Sequence, residues 1–330
     1  MNRKPLHRVF ARLTDPDTLA RLGPLVGLCG VFLMFALLAP PSFASGGNLE
    51  TIARQTAIVG TAALGMTMVI IAGGIDLSVG SIIAFVTVII ASLLQSGVSP
   101  AVAAGGGVLA GAGCGLANGI LITRLRVVPF VVTLGTLLVV RGAAKGFAHE
   151  QKIDAPLTGL NDLLASLPGE RAWLLAPPGV WLMAVLAVVI VLLLTYTRLG
   201  RHIFAVGSSE NTARLCGVAV EKVKTAVYVL SGAFAGIAGL LQFSRLTVGD
   251  PTVAVGIELD VIAAVVIGGG SFSGGEGSVL GTVVGAFIMT TIRSGCAQMG
   301  LSNWVQEIVT GIIIVLAVAL DRLRHRKSGQ

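Results

Sequence analysis

Apolar residues along the chain gather into ten runs, at approximately 24–40, 52–72, 80–95, 100–122, 129–146, 178–196, 225–244, 256–270, 277–295 and 304–320. A bilayer core about 30 Å thick takes roughly 20 apolar residues per helix, so runs recurring from end to end weave the chain through lipid. Several runs are shorter than a full span, and these predict broken or re-entrant helices. The pattern therefore predicts an all-α polytopic integral membrane protein of about eight to ten transmembrane helices, some of them short or broken. It reads as one membrane domain, residues 24–320, between basic tails at 1–23 and 321–330, with no soluble module.

Composition supports this reading. Of 330 residues 54% are hydrophobic and 12% charged, roughly half the charged fraction of a soluble domain. The net charge of +7 does not point to nucleic acid, because the Lys and Arg residues sit between the apolar runs and form no patch with interleaved aromatics. They report topology, since cytoplasmic loops retain positive charge. Sixteen of the 23 fall in four regions: the first tail (Arg3, Lys4, Arg8, Arg12, Arg21), 123–128 (Arg124, Arg126), 197–224 (Arg198, Arg201, Arg214, Lys222, Lys224) and the last tail (Arg322, Arg324, Arg326, Lys327). Strict alternation puts all four on one face, so both termini are expected in the cytoplasm. The 145–179 connection, with Pro156, Pro168, Pro177 and Pro178, is then expected in the periplasm. Small residues around Ala39–Ser45 imitate a signal-peptidase site, but the long basic tail and the need for a first anchor favour an uncleaved span.

Glycine placement adds detail. Gly107, Gly111, Gly115 and Gly119 recur every four residues, which keeps them on one helical face where another backbone can pack. Gly277, Gly281 and Gly285 repeat the device, as do Gly232 and Gly236. A weak internal similarity sets Val69–Phe85 against Val266–Gly281, with Gly80-Ser81 matching Gly277-Ser278, either a parallel repeat of the kind transporters contain or a chance recurrence in a glycine-rich chain.

Few residues suggest chemistry. Gly73, Gly74, Asp76, Ser78 and Gly80 interrupt two apolar runs, and a break of this sort exposes backbone that lipid cannot satisfy, so it must be buried in protein or line a water-filled path. Asp76 either caps the helix that follows or faces the path. Glu258 and Asp260 open another apolar run, where two carboxylates suit the positive end of a helix, and Gly269 and Gly270 close it; these four complete the candidates for a path or gate. Arg141, Arg245, Arg293 and Glu307 lie in or near the ends of runs, where snorkelling to headgroups is the ordinary role; one of them could line the path. Cys29, Cys114, Cys216 and Cys296 have no metal or redox spacing. The four histidines fall in tails or loops, so no buried proton relay of histidines is expected; nothing near Glu258 and Asp260 supplies a nucleophile, a His base or a metal cluster, so no catalytic or metal centre is expected. No cluster of aromatics and amides marks a tight saccharide site. The phosphate-loop motif is absent, so a nucleotide would have to bind another subunit.

Three segments, Ala72–Ser81, Thr197–Gly217 and Glu258–Gly269, continuing through Gly274-Gly275-Glu276-Gly277 and Gly281, resemble the ribose-type permeases of bacterial ABC sugar importers. The likeness covers about residues 45–322. It implies an inner-membrane permease that pairs with a second copy or a paralogue, sits among membrane lipid, and works with a cytoplasmic ABC ATPase and a periplasmic sugar-binding protein. No cofactor is implied on this chain; ATP and Mg belong to the ATPase. In such families the loop corresponding to 197–224 docks into the ATPase, and Gly200, Arg201, Gly207, Glu210, Arg214 and Gly217 match the pattern there. The chain departs from it at Gly207-Ser208-Ser209-Glu210, where Gly-Gly-Asn-Glu is common, at Ile257, where an aromatic is frequent, and through 145–179. An ion-coupled secondary transporter and an intramembrane enzyme are the rival readings.

Overall fold

The computed structural model describes residues 16–167 and 174–328; Arg3, Lys4, Arg8, Arg12 and Pro168 lie outside them. The described residues form twelve α-helices. In chain order these are α1 (Pro16–Leu38), α2 (Gly46–Ile71), α3 (Val79–Gln95), α4 (Pro100–Leu125), α5 (Pro129–Phe147), α6 (Pro178–Tyr196), α7 (Arg198–Ser208), α8 (Glu210–Leu215), α9 (Val220–Leu246), α10 (Ile257–Ile267), α11 (Val279–Gln298) and α12 (Asn303–Ser328). Two short strands, β1 (Ile153–Asp154) and β2 (Val248–Gly249), pair antiparallel. Helices α2, α4, α5, α6, α9 and α11 are long and apolar enough to cross a membrane, and Gly23–Leu38, Val79–Gln95 and Asn303–Leu316 are shorter apolar helices. The terminal helices run into both expected tails, α1 starting at Pro16 and α12 reaching Ser328.

Helix α2 is the axis of the bundle. Every residue from Thr56 to Ala72 is buried, as expected of a helix apolar on all sides, and α9, α11, α6 and α10 pack around it. The predicted small-residue strips are packing faces. A Cβ on Gly111 or Gly115 of α4 would overlap the backbone of Gly232, Gly236 or Tyr228 on α9, and one on Gly119 would meet Thr225. Gly107 is the exception, seated on the Ile90 and Val86 side chains of α3. On α11, Gly281 meets the backbone of Gly268 and Gly285 that of Ala264. With no water to expel between membrane helices, such contact supplies the van der Waals attraction that joins them.

The apolar run at 256–270, one of the ten candidate crossings, does not cross. Its helix α10 has 11 residues, about 16 Å at 1.5 Å per residue, half of a 30 Å core. Between α9 and α10 the chain instead forms a strap, residues 247–256, that runs back along α3. Gly249 packs on Ala91 and Thr87, whereas the Ala254 carbonyl lies against Gly80, eleven residues nearer the start of α3. Backbone inside a bundle needs internal partners. Thr87 Oγ1 accepts the Asp250 N–H at 3.1 Å. Arg141 Nη1 donates to the carbonyls of Pro251 and Val253 at 3.1 and 2.6 Å. Arg141 therefore tethers the strap.

Candidate coupling surface and translocation cavity

The polar connection 197–224 folds into α7, α8 and the first turn of α9. Thr197 caps α7 by accepting the Gly200 N–H, and Ser209 caps α8 by accepting that of Thr212. Each glycine there has a separate physical cause. A Cβ on Gly200 would overlap the Leu193 and Leu194 carbonyls, so glycine lets α7 fold back across the end of α6. Gly217 has φ +81°, a left-handed conformation that ends α8 at little cost only in glycine. Gly207 is the closest approach of α7 to the bundle, and a Cβ there would overlap the Ile71 carbonyl oxygen and the Gly275 nitrogen. Gly200, Ile203 and Val206 form the buried face, whereas Arg201, Glu210 and Arg214 are exposed. Arg214 pairs with Glu221 at 2.7 Å and Glu210 at 3.5 Å, and Lys224 with Glu210 at 2.5 Å; such solvent-screened pairs add little stability and leave this surface polar and solvated. At its tip Leu215 is 89% exposed.

Gly207 docks where two breaks meet. Ile71 ends α2, and its carbonyl accepts the Gly275 N–H at 2.8 Å from the loop between α10 and α11. A Cβ on Gly274 would lie 2.7 Å from the Gly207 oxygen and 3.1 Å from the Gly73 Cα, and one on Gly277 would meet the Ile71 side chain. The two internally similar segments thus abut. Their correspondence is shifted from the sequence match: Ser78 and Ser278 are the N-cap residues of α3 and α11, while Gly80-Ser81 lie within the first turn of α3 and Gly277-Ser278 precede α11. Gly269 turns the chain out of α10 with φ +95°, and Gly270 packs back on Val265.

Asp76 is fully buried. Its Oδ1 accepts the Ser78 N–H at 2.9 Å and the Ser78 hydroxyl at 2.5 Å, and Asn118 of α4 donates to that hydroxyl at 2.9 Å. The neighbouring Ile75 carbonyl accepts from Thr133 of α5 at 3.2 Å and from Tyr228 of α9 at 3.4 Å. The 72–78 break is tied in this way to three helices, and Asp76 serves as its internal acceptor, away from the open cavity.

That cavity, about 600 Å³, lies at the opposite ends of α2, α9 and α11. Several polar side chains satisfy one another in its wall: Asn48 Oδ1 accepts from Ser294 at 2.9 Å and Gln298 at 3.3 Å, and Thr56 bonds Thr290 at 2.6 Å. Arg293 pairs with the buried Asp260 at 2.6 Å. Gln55, Gln242 and Arg245 also face the space, and Ala254, Val255 and Ile257 of the strap and α10 supply an apolar side. The first-turn acids have divided roles: Glu258 accepts the Gly256 N–H at 3.2 Å and approaches Gly80, whereas Asp260 reaches the cavity. Among the path candidates, Asp260 alone lines it, while Gly73, Gly74, Gly269 and Gly270 gather at the breaks.

Sequence reasoning missed the amides. Asn48, Gln55, Gln242, Gln298 and Gln306 converge here with no aromatic among the lining residues, and the sequence does not reveal the group because its members are scattered over 259 positions. Of the four charged residues assigned to snorkelling, Arg245 and Arg293 line the cavity and Arg141 holds the strap. At the outer end of the strap, burial opposes the Asp250 charge, but hydrogen bonds from Thr252 and the 3.1 Å pair with Lys152 hold its carboxyl below the ordinary carboxylate range.

The family model described as branched-chain amino acid transport system, permease component, matches residues 48–318. The ribose import permease protein of Bacillus subtilis strain 168 is 39% identical over 323 residues, covering 98% of this chain and 99% of its own length. The ribose import permease protein of Escherichia coli strain K12 is 36% identical over 300 residues, 90% and 93% of the two chains. The L-arabinose ABC transporter permease protein of Azospirillum brasilense is 35% identical over 304 residues, 91% and 88%. No solved structure matches the chain.

Proposed function

This chain belongs to the family of ABC importer permease components, multi-pass proteins of the inner membrane, and from that premise we propose that its cargo is a monosaccharide or related polyol received from a periplasmic binding protein. The relatives named for ribose and arabinose support a sugar as cargo. Family membership sets aside the ion-coupled and enzymatic readings. Two permease chains, identical or paralogous, enclose the path; ATP and Mg act on the separate ATPase; and both termini face the cytoplasm with α7 and α8.

One observation carries the mechanism: Gly207 sits on the Ile71 carbonyl where both breaks meet. Closure of the ATPase presses α7 and α8, with the exposed Leu215 as an apolar contact. No side chain at 207 cushions the push, which passes to the ends of α2 and α10. Both are helices with residues in the cavity, Gln55 on one and Asp260 on the other. A helix transmits displacement along its length because its backbone hydrogen bonds resist bending, so motion at Ile71 reaches the cavity wall. A sugar hydroxyl stripped of water without a partner costs about 1–3 kcal/mol, which closes lipid to the cargo and requires the polar lining. Excising Thr197–Lys224 abolishes stimulation of the partner ATPase by loaded binding protein while the chain still inserts; stimulation that survives the excision refutes the docking role.

A further inference from the structure

The polar groups of the cavity wall fall into two sets. Asn48, Ser294 and Gln298 bond one another, and Thr290 bonds Thr56 behind the wall. Gln242 is different. It is 6% exposed, lines the cavity, and makes no hydrogen bond to any described residue. An amide carries donors and an acceptor that need partners, and the cavity is a space this side chain faces. Asp260, 2% exposed, also lines the cavity: Oδ2 is held by Arg293 at 2.6 Å, and Oδ1, buried behind the cavity surface, lacks a hydrogen-bond partner. Gln55 extends the same wall from α2.

We propose that Gln242 and Asp260, with Gln55 beside them, form a cargo-contact site inside the membrane domain that reads the hydroxyl groups of a neutral polyol in transit. An amide both donates and accepts, and a carboxylate oxygen accepts only, so together they match hydroxyls that do both. The ion pair with Arg293 holds Asp260 Oδ2, and Oδ1 keeps its accepting capacity unused. A cavity of about 600 Å³ is within the size range of small-molecule sites and leaves room for water around a monosaccharide, as a site that must release its cargo requires. Selection is then shared between the delivery protein and this chain. The proposal rests on the sugar-import reading.

The test uses the full chain reconstituted in vesicles with its ATPase and binding protein, and radiolabelled ribose, arabinose and allose as probes. ATP-driven uptake and stimulated ATP hydrolysis are measured together. Gln242→Leu keeps the volume and removes the amide, so uptake per ATP hydrolysed is expected to fall at least tenfold while stimulated hydrolysis stays within twofold of wild type. Gln242→Glu, which keeps hydroxyl-bonding capacity, is expected to retain more than a third of uptake. Wild-type uptake and sugar preference in Gln242→Leu overturn the proposal. If Gln242→Leu loses hydrolysis as well, Gln55→Leu at the more open position decides: a fall in uptake of threefold or more supports the site, and unchanged uptake overturns it. A wild-type complex that hydrolyses ATP with binding protein but imports neither these three sugars nor any member of a broader panel of monosaccharides and polyols refutes the sugar-import reading itself.

Discussion

Replacing Gly207 tests the seat of α7 without touching the cavity or the exposed docking face. A methyl group there meets the Ile71 carbonyl oxygen, the acceptor of the 2.8 Å bond from Gly275. Either α7 lifts or the two breaks separate. Forcing a group into a packed contact costs about 1–3 kcal/mol, and losing the Gly275 bond adds about 0.5–1.5 kcal/mol. A combined cost of about 1.5–4.5 kcal/mol changes the ratio of docked to undocked α7 by roughly 10- to 2000-fold. Helix propensity acts in the opposite direction, since Ala is better than Gly by about 0.8–1.0 kcal/mol within a helix; a loss of function therefore reports the steric clash. The assay is ATP hydrolysis by the reconstituted complex with and without loaded binding protein. Gly207→Ala should reduce the stimulated increment at least tenfold, and Gly207→Val should abolish it, with basal hydrolysis unchanged. Gly113→Ala, where a Cβ meets nothing within 4 Å, is the control. Full stimulation in Gly207→Val would refute transmission through this contact.

Three further outcomes follow from packing and charge. Gly115→Ala drives a methyl into the Tyr228 carbonyl and should cost about 1–3 kcal/mol, seen as a lowered thermal midpoint in detergent, while Gly113→Ala leaves the midpoint unchanged. Arg141→Met strips the donors from the Pro251 and Val253 carbonyls, at about 1–3 kcal/mol per acceptor left buried. Hydrogen exchange measured by mass spectrometry should then show faster exchange in 247–256 and little change in α2. Because the folded Asp250 carboxyl titrates below its unfolded value, its contribution is fully present above the ordinary carboxylate pKa, about 3.9, and is lost as pH falls through the lower folded value. Asp250→Asn should flatten that acid limb of a stability profile and leave the neutral region with a constant offset.

Much of the helical architecture was legible because apolar runs in this chain end at Gly, Pro or polar residues. The 129–146 and 178–196 runs became Pro129–Phe147 and Pro178–Tyr196. The four-residue spacing from Gly111 to Gly119 puts these glycines on one helical face, but the partner they meet on α9 depends on long-range placement. The strap escaped because the run at 256–270 is as apolar as a crossing helix, while two of the groups that satisfy its backbone, Thr87 and Arg141, come from the distant helices α3 and α5. The cavity escaped for a related reason. Each polar group is nearly alone in its own run, although Gln242 with Arg245, and Thr290 with Arg293 and Ser294, are spaced three or four residues apart on one helical face. Such facing pairs within apolar helices are costly against lipid and were the available signal. Likewise, Gly207 is one glycine among 44; the resemblance puts it in the coupling loop, but only its contact with the Ile71 oxygen and the Gly275 nitrogen shows why glycine is needed there.

The account turns on α7 controlling the cavity from the opposite end of the bundle. Ala297 lines the cavity, is exposed and has no assigned role in cargo contact or coupling. With Cys29, Cys114, Cys216 and Cys296 replaced by alanine, Ala297→Cys provides one thiol whose alkylation rate can be followed from the periplasmic side of the reconstituted complex. A non-hydrolysable ATP analogue bound to the ATPase should slow alkylation at least tenfold, and Gly207→Val should remove that protection. An unchanged rate on nucleotide binding, or protection that persists in Gly207→Val, would contradict the claim that the Gly207 seat links nucleotide binding to the cavity.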